Sequence, residues 1–223
     1  MSNTNQTNHS TSMSKTKGLV QMGIFSALII VLAFTPFVGY IPLGFTRATI
    51  IHIPVIIGSL MLGPKKGAAP GGVVGLPSVI NNTFNPAVTS VVFTPFYSLG
   101  TYSGGIGSII ICFLPRILIG VVPFYVYGFV KKVQKNDGVS SLGLIMAGLS
   151  GALTNTLLVM NLIYVFFQNS YAKANGVAPE AVYGFIMGII GMNGIPEAIV
   201  AAVITLVIGK TLMRKGVMEQ LGV

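Results

Sequence analysis

The sequence predicts an all-α integral membrane protein with six transmembrane helices, and three observations carry that prediction. Of its 223 residues, 52% are hydrophobic and 8% charged, whereas an ordinary soluble domain carries roughly 25% charged residues. Four acidic residues cannot clothe a soluble surface of this size. Apolar stretches recur at 18–38, 50–63, 66–82, 105–130, 141–167 and 183–213, parted by joints rich in proline or glycine. Lysine and arginine, finally, gather at alternate joints, as membrane topology requires.

Residues 1–14, "MSNTNQTNHSTSMS", are polar and low in complexity and read as a disordered tail ahead of a single membrane domain, 15–223. The apolar stretch after Lys15 and Lys17 is too long for the core of a signal peptide and reads as a retained first helix. The second stretch, Ile50 to Gly63, is only about 14 residues long, where a perpendicular span needs about 20. His52 and Pro54 stand at its start, and "GPKKG" turns it tightly into the third helix. Three other joints are long: 39–48, 83–105 and 168–182.

With the N-terminus in the cytoplasm, six spans return the C-terminus there. Lys15, Lys17, Lys65, Lys66, Lys131, Lys132, Lys135, Lys210, Arg214 and Lys215 then lie inside, out of 13 basic residues in all. Arg47 and Lys173 lie outside, and Arg116 falls within a span. This bias predicts an N-in, C-in chain whose long joints all face outward, as loops over a ligand pocket. The net charge of +9 is thus explained by orientation, without a nucleic-acid partner. One cysteine, Cys112, and two histidines supply neither a disulfide nor a metal site.

Small residues repeat every four positions at Gly67, Gly71 and Gly75, at Gly143, Ala147 and Gly151, and more briefly at Gly23 and Ala27. Such spacing lets helix backbones approach closely in lipid. It serves either packing within the chain or docking of another membrane subunit.

Ionisable groups inside a membrane cost roughly 2.5–3.5 kcal/mol on insertion scales, so each demands a reason. Arg116 and Glu197 are expected at similar depth, on helices running the same way, where they either pair or share a ligand. Asn81, Asn82, Asn155, Asn161 and Asn193 add polar groups on three helices, and Pro196 loosens the helix beside Glu197. Arg47 stands at the mouth of the expected pocket. His52 and Pro54 line or shape the pocket entrance, His52 either as a capped structural histidine or as a ligand contact. Phe84, Phe93, Phe96, Tyr97 and Tyr102 in the second outer joint either cover a ligand or form an interfacial belt. The substrate-binding set is therefore Arg47, Asn81, Asn82, Arg116, Asn155, Asn161, Asn193 and Glu197.

The chain holds no ATP-binding loop: "GKT" at 209–211 lacks the earlier glycine, and "GSLMLGPK" has proline where lysine is needed. No catalytic set is legible, and Glu197 has no companion carboxylates for ion coupling. A stand-alone carrier switching through Arg116 and Glu197 stays open. A binding subunit of a larger machine fits better.

"RATIIHIPVIIGSLMLGPKKGA" resembles the segment joining the first loop to the third helix in substrate-binding S components of energy-coupling factor (ECF) vitamin transporters. The six-helix plan extends the likeness over residues 18–215. The resemblance implies a multi-pass protein of a bacterial cell membrane that captures a vitamin outside. It also implies delivery together with a transmembrane coupling subunit and two ATPase subunits, which use the ATP, so that this chain needs no cofactor. Members carry an Ala-xxx-Ala motif on the first helix for docking; the nearest match is Gly23-xxx-Ala27, with one letter changed. The "TIIHIPVIIG" wording is most similar to the pantothenate-specific group, with riboflavin, pyridoxine or a thiamine precursor as the other options.

Overall fold

The computed structural model describes residues 3–35, 40–42, 47–135 and 138–221, with backbone alone for 3–15, 40–42 and 47–49. Nearly all of it is helix, as expected of an α-helical membrane protein. In chain order come α1 (Asn3–Phe34), α2 (Ile53–Leu62), α3 (Pro64–Phe84), α4 (Ile106–Ile119), α5 (Val122–Val133), α6 (Ser141–Asn175), α7 (Val182–Ile189), α8 (Ile195–Leu212) and α9 (Lys215–Leu221). The backbone of α1 thus begins inside the polar tail, whose side chains lie outside the described residues. Two short antiparallel hairpins sit in the first two long joints: β1 (Tyr40–Pro42) with β2 (Arg47–Thr49), and β3 (Ser98–Leu99) with β4 (Tyr102–Ser103).

Four described stretches are long and apolar enough to cross a membrane: Thr16–Phe34, Ile106–Val133, Ser141–Asn175 and Pro179–Leu212. The helix α2 is shorter, as its sequence suggested, and its residues from Ile53 to Met61 are all buried. It is enclosed by α1, α3, α5, α6 and α8. Gly63 ends it at φ 88°, a left-handed backbone that favours glycine, and Pro64 starts α3 at once.

Three helices depart from the expected plan. The stretch 105–130 is not one rod: it breaks at Gly120 and Val121 into α4 and α5, with Pro123 in the first turn of α5. Ser59 Oγ seals the break by donating to Gly120 O at 2.6 Å. The fifth stretch runs on to Asn175, yet Phe167, its expected end, has non-helical φ −136° and ψ 26°. The helix kinks there and continues to Gly176 at φ 66°. The sixth contains a π-helical turn, Ile190–Gly194, directly before Pro196. That wider turn accommodates the backbone donor that proline lacks, so the loosening expected beside Glu197 is present.

Two apolar clusters organise the bundle. One joins Val91 and Val92 of the second outer joint to Ile111, Val159, Ile163, Phe167, Val182 and Ile186. The other gathers Ile29, Val55, Ile56, Leu60, Ile119, Tyr127 and Leu144. Arg116 falls between Ile111 and Ile119 on α4, and Asn155 between Ala147 and Val159 on α6.

The small-residue repeats resolve into packing within the chain. A Cβ at Gly67 would lie 2.7 Å from Gly120 O, one at Gly75 2.9 Å from Cys112 O, and one at Gly71 would collide with Arg116 O. On α6, Gly143 faces Tyr127 and Gly151 faces Ile56, while Ala147 is fully buried. Gly23 differs: nothing stands within 4 Å of a Cβ built there, and Ala27 is exposed too.

Gly71→Ala should therefore destabilise the protein by about 1–3 kcal/mol, the usual range for overpacking, because backbone must move. Thermal unfolding in detergent reads this directly. An unchanged midpoint would show that α3 and α4 are not in backbone contact.

Candidate functional site

The bundle holds an open cavity of about 630 Å³, counting its mouth, lined by Ala33, Ile51, His52, Val74, Pro77, Ser78, Asn81, Asn82, Arg116, Ile119 and Asn155. The α3 contribution follows helical periodicity: Val74, Pro77, Ser78, Asn81 and Asn82 share one face. Glycines on α3 press it onto α4, which sets the α3 amides across from Arg116.

Arg116 has a local reason for its place. Pro115 has no N–H, so the Ile111 carbonyl loses its helical donor. Arg116 Nη1 supplies a substitute, donating to Ile111 O at 2.8 Å. The side chain is half-buried and lies in the last turn of α4, where positive charge also suits the helix dipole.

Asn82 is partly engaged in structure. Its Nδ2 donates to Ser78 O at 2.8 Å, and its Oδ1 accepts from Ser90 Oγ at 2.7 Å, tying the second outer joint to α3. Asn81 accepts from Asn85 at 3.2 Å and stands exposed at the cavity rim. Asn155 is half-buried in the α6 wall.

Sequence left His52 either a capped structural histidine at the entrance of α2 or a ligand contact, and the structure shows no cap. His52 occupies the N-cap position with helical φ −79° and ψ −14°, and its side chain makes no capping bond. A capping side chain needs an extended backbone at that residue. Instead His52 is only 3% exposed, lines the cavity, and places Nδ1 3.8 Å from Glu197 Oε1. Glu197 is buried on α8 behind it, and Thr156 Oγ1 donates to Glu197 Oε2 at 3.4 Å. Glu197 thus borders the site through His52 and does not itself line the cavity.

Of the eight residues proposed from sequence, the structure brings Asn81, Asn82, Arg116 and Asn155 into one wall, with Glu197 one layer back. Asn161 lies farther along α6, outside the cavity lining, and donates to its own helix at Leu157 O, 2.7 Å away. Asn193 sits exposed in the π turn, also outside the lining. The Arg47 side chain lies outside the described residues; its backbone belongs to β2, which leads into Ile51 and His52. Of the aromatics, Phe93, Tyr97 and Tyr102 pack on the apolar cluster of the outer joint, while Phe84 and Phe96 are exposed. Lys173 Nζ stands 5.5 Å from the Tyr102 ring, a cation–π contact between the β3–β4 hairpin and α6.

Sequence reasoning placed His52 at the pocket entrance but missed Ser78 and Thr156. The regular spacing of Ser78, Asn81 and Asn82 was a signal for the first. Thr156 had none, since only the fold brings α6 and α8 together.

A guanidinium, several amides and a hydroxyl, lining one cavity together with Ala33, Ile51, Val74 and Ile119, suit a small anion carrying both polar and branched apolar parts. The family model described as "ECF transporter, substrate-specific component" matches residues 17–209. A protein named "Pantothenic acid transporter PanT", from Lactococcus lactis subsp. cremoris, is 35% identical over 195 residues, 86% of this chain and 91% of the relative. One named "Pantothenate transporter PanT", from Leuconostoc mesenteroides subsp. mesenteroides, is 31% identical over 208 residues, 91% of this chain and 95% of the relative. With a family match over that span and relatives aligned along nearly the whole chain, this protein belongs to the substrate-specific component family of ECF transporters, and its work is transport, not enzymatic turnover.

Proposed function

We propose that this chain binds pantothenate at the outer face of a bacterial plasma membrane and delivers it inward with a transmembrane coupling subunit and two ATPase subunits. The observation that carries the ligand assignment is the pair of relatives at 35% and 31% identity, both named as transporters of that vitamin. The cavity chemistry agrees with it. Arg116 is the partner for the carboxylate, and charge-assisted hydrogen bonds of this kind are stronger than neutral ones. Asn81, Asn82 and Asn155 serve the amide and hydroxyls, and Ile51, Val74 and Ile119 receive the gem-dimethyl group. Arg47, on the strand leading to Ile51, is assigned to the cavity mouth. Asn161 and Asn193, away from the lining, are assigned no ligand contact.

In this reading the chain crosses the membrane six times, through α1, α2, α3, α4 with α5, α6, and α7 with α8, with both termini in the cytoplasm. The distribution of lysine and arginine supports that orientation. The coupling subunit docks on α1 at Gly23 and Ala27. The other small-residue repeats are occupied by this chain's own helices, whereas this pair is exposed.

Isothermal titration of the purified protein should show saturable pantothenate binding, and Arg116→Ala should weaken it about 10- to 100-fold, the equivalent of about 1.5–3 kcal/mol. Wild-type affinity in a folded Arg116→Ala variant would make Arg116 purely structural. Gly23→Leu with Ala27→Leu should abolish co-purification with the coupling and ATPase subunits while leaving vitamin binding intact; a complex that survives both substitutions would place docking elsewhere. A cysteine at Lys173 should react with an impermeant maleimide added to whole cells, and one at Lys132 only after lysis, with Cys112 silent because it is buried. Labelling in the opposite order would invert the topology.

A further inference from the structure

Among the described residues that line the cavity, His52 alone has buried polar side-chain atoms without a hydrogen-bond partner. It is 3% exposed, it makes no capping bond to α2, and neither ring nitrogen has a hydrogen-bond partner among the described residues. Buried polar atoms in native proteins are nearly always paired, so such an orphan points to a partner that is absent from the polypeptide. The surroundings of the ring define what that partner must be. Glu197 Oε1 lies 3.8 Å from Nδ1, within about 1 Å of hydrogen-bond length. Thr156 Oγ1 donates to the other carboxylate oxygen and so holds Glu197 from the far side. A carboxylate at Nδ1 draws the ring proton to that nitrogen and leaves Nε2 with a bare lone pair. A bare lone pair repels a carboxylate and accepts from a donor. Pantothenate carries donors in its two pantoyl hydroxyls and its amide N–H, while its carboxylate belongs with Arg116.

We propose that His52 is a specificity-determining residue of the vitamin site: its Nε2 accepts a hydrogen bond from a pantoyl hydroxyl, with Glu197 and Thr156 as positioning residues that fix the ring. The assignment rests on pantothenate being the ligand. A site built to accept from a hydroxyl discriminates strongly against analogues that lack it, because its own buried acceptor is then left unpaired.

The test is isothermal titration of the purified full-length protein with pantothenate and with two analogues, each having one pantoyl hydroxyl replaced by hydrogen. Wild-type protein should bind one of the two analogues about 10- to 100-fold more weakly than pantothenate. His52→Leu should lose a similar factor for pantothenate and bind that analogue and pantothenate alike. His52→Gln, which keeps an acceptor, should recover part of both affinity and discrimination. Glu197→Leu should lower discrimination and Glu197→Gln restore it, a pattern that a merely structural role would not produce. If His52→Leu fails to fold, the wild-type comparison and His52→Gln decide the matter. Equal wild-type affinity for pantothenate and both analogues overturns the proposal, as does undiminished discrimination in His52→Leu. Wild-type protein that ignores pantothenate altogether overturns the ligand assignment and this inference with it, whereas pantothenate binding indifferent to His52 overturns this inference alone.

Discussion

Backbone contact between α3 and α4 is the constraint on which the rest of the molecule depends. Gly67, Gly71 and Gly75 present a face without side chains, and the carbonyls of Cys112, Arg116 and Gly120 lie directly against it. Helices in lipid gain little from hydrophobic burial against one another, so van der Waals contact and short polar bonds must hold them. Glycine maximises the first by removing the atoms that would keep the backbones apart. Because the face repeats every four residues, Ser78, Asn81 and Asn82 continue the same helix beyond the contact. Their position relative to Arg116 is therefore fixed by glycines that never touch the cavity.

The same economy of atoms explains how a guanidinium is tolerated inside an apolar bundle. Pro115 creates a polar deficit by withholding a donor from Ile111 O, and Arg116 fills it at 2.8 Å. One hydrogen bond thereby anchors the side chain and satisfies a carbonyl that lipid or protein would otherwise leave stranded. A guanidinium presents five N–H donors in a fixed fork, a geometry that matches a carboxylate. Glu197 is accommodated by similar means, held by Thr156 and His52 beneath the cavity wall.

Local chemistry made much of this legible in the sequence. The Gly63–Pro64 joint, the brevity of α2, the loosened segment before Pro196 and the small-residue repeats are all properties of a few adjacent residues. Phe167 shows the limit of such reading. The change in composition after it marked a true boundary, but as a kink within α6, because a helix tolerates one irregular residue when packing resumes on the far side. The break at Gly120 escaped notice because the residues around it are apolar, and hydropathy cannot distinguish one rod from two. Arg116 and three asparagines were found because polarity in an apolar run is conspicuous wherever the fold places it. The two readings of His52 could not be separated because its setting depends on Glu197, which lies 145 positions along the chain and comes near only through the packing of α2 on α8.

The short α2 now has a physical explanation. At about 1.5 Å per residue, ten residues reach roughly 15 Å, half of the roughly 30 Å hydrocarbon thickness. A helix of that length facing lipid would leave its terminal N–H and C=O groups in hydrocarbon, which is prohibitively costly. Packing against five other helices, which buries Ile53 to Met61, eases that cost. Enclosure also requires α2 to be apolar all round, which its composition already showed and which hides any amphipathic signal. What the missing length leaves behind is room: His52 and Ile51 at its start form part of the cavity wall. The column of the bundle that α2 leaves unfilled at its start is taken up by the cavity.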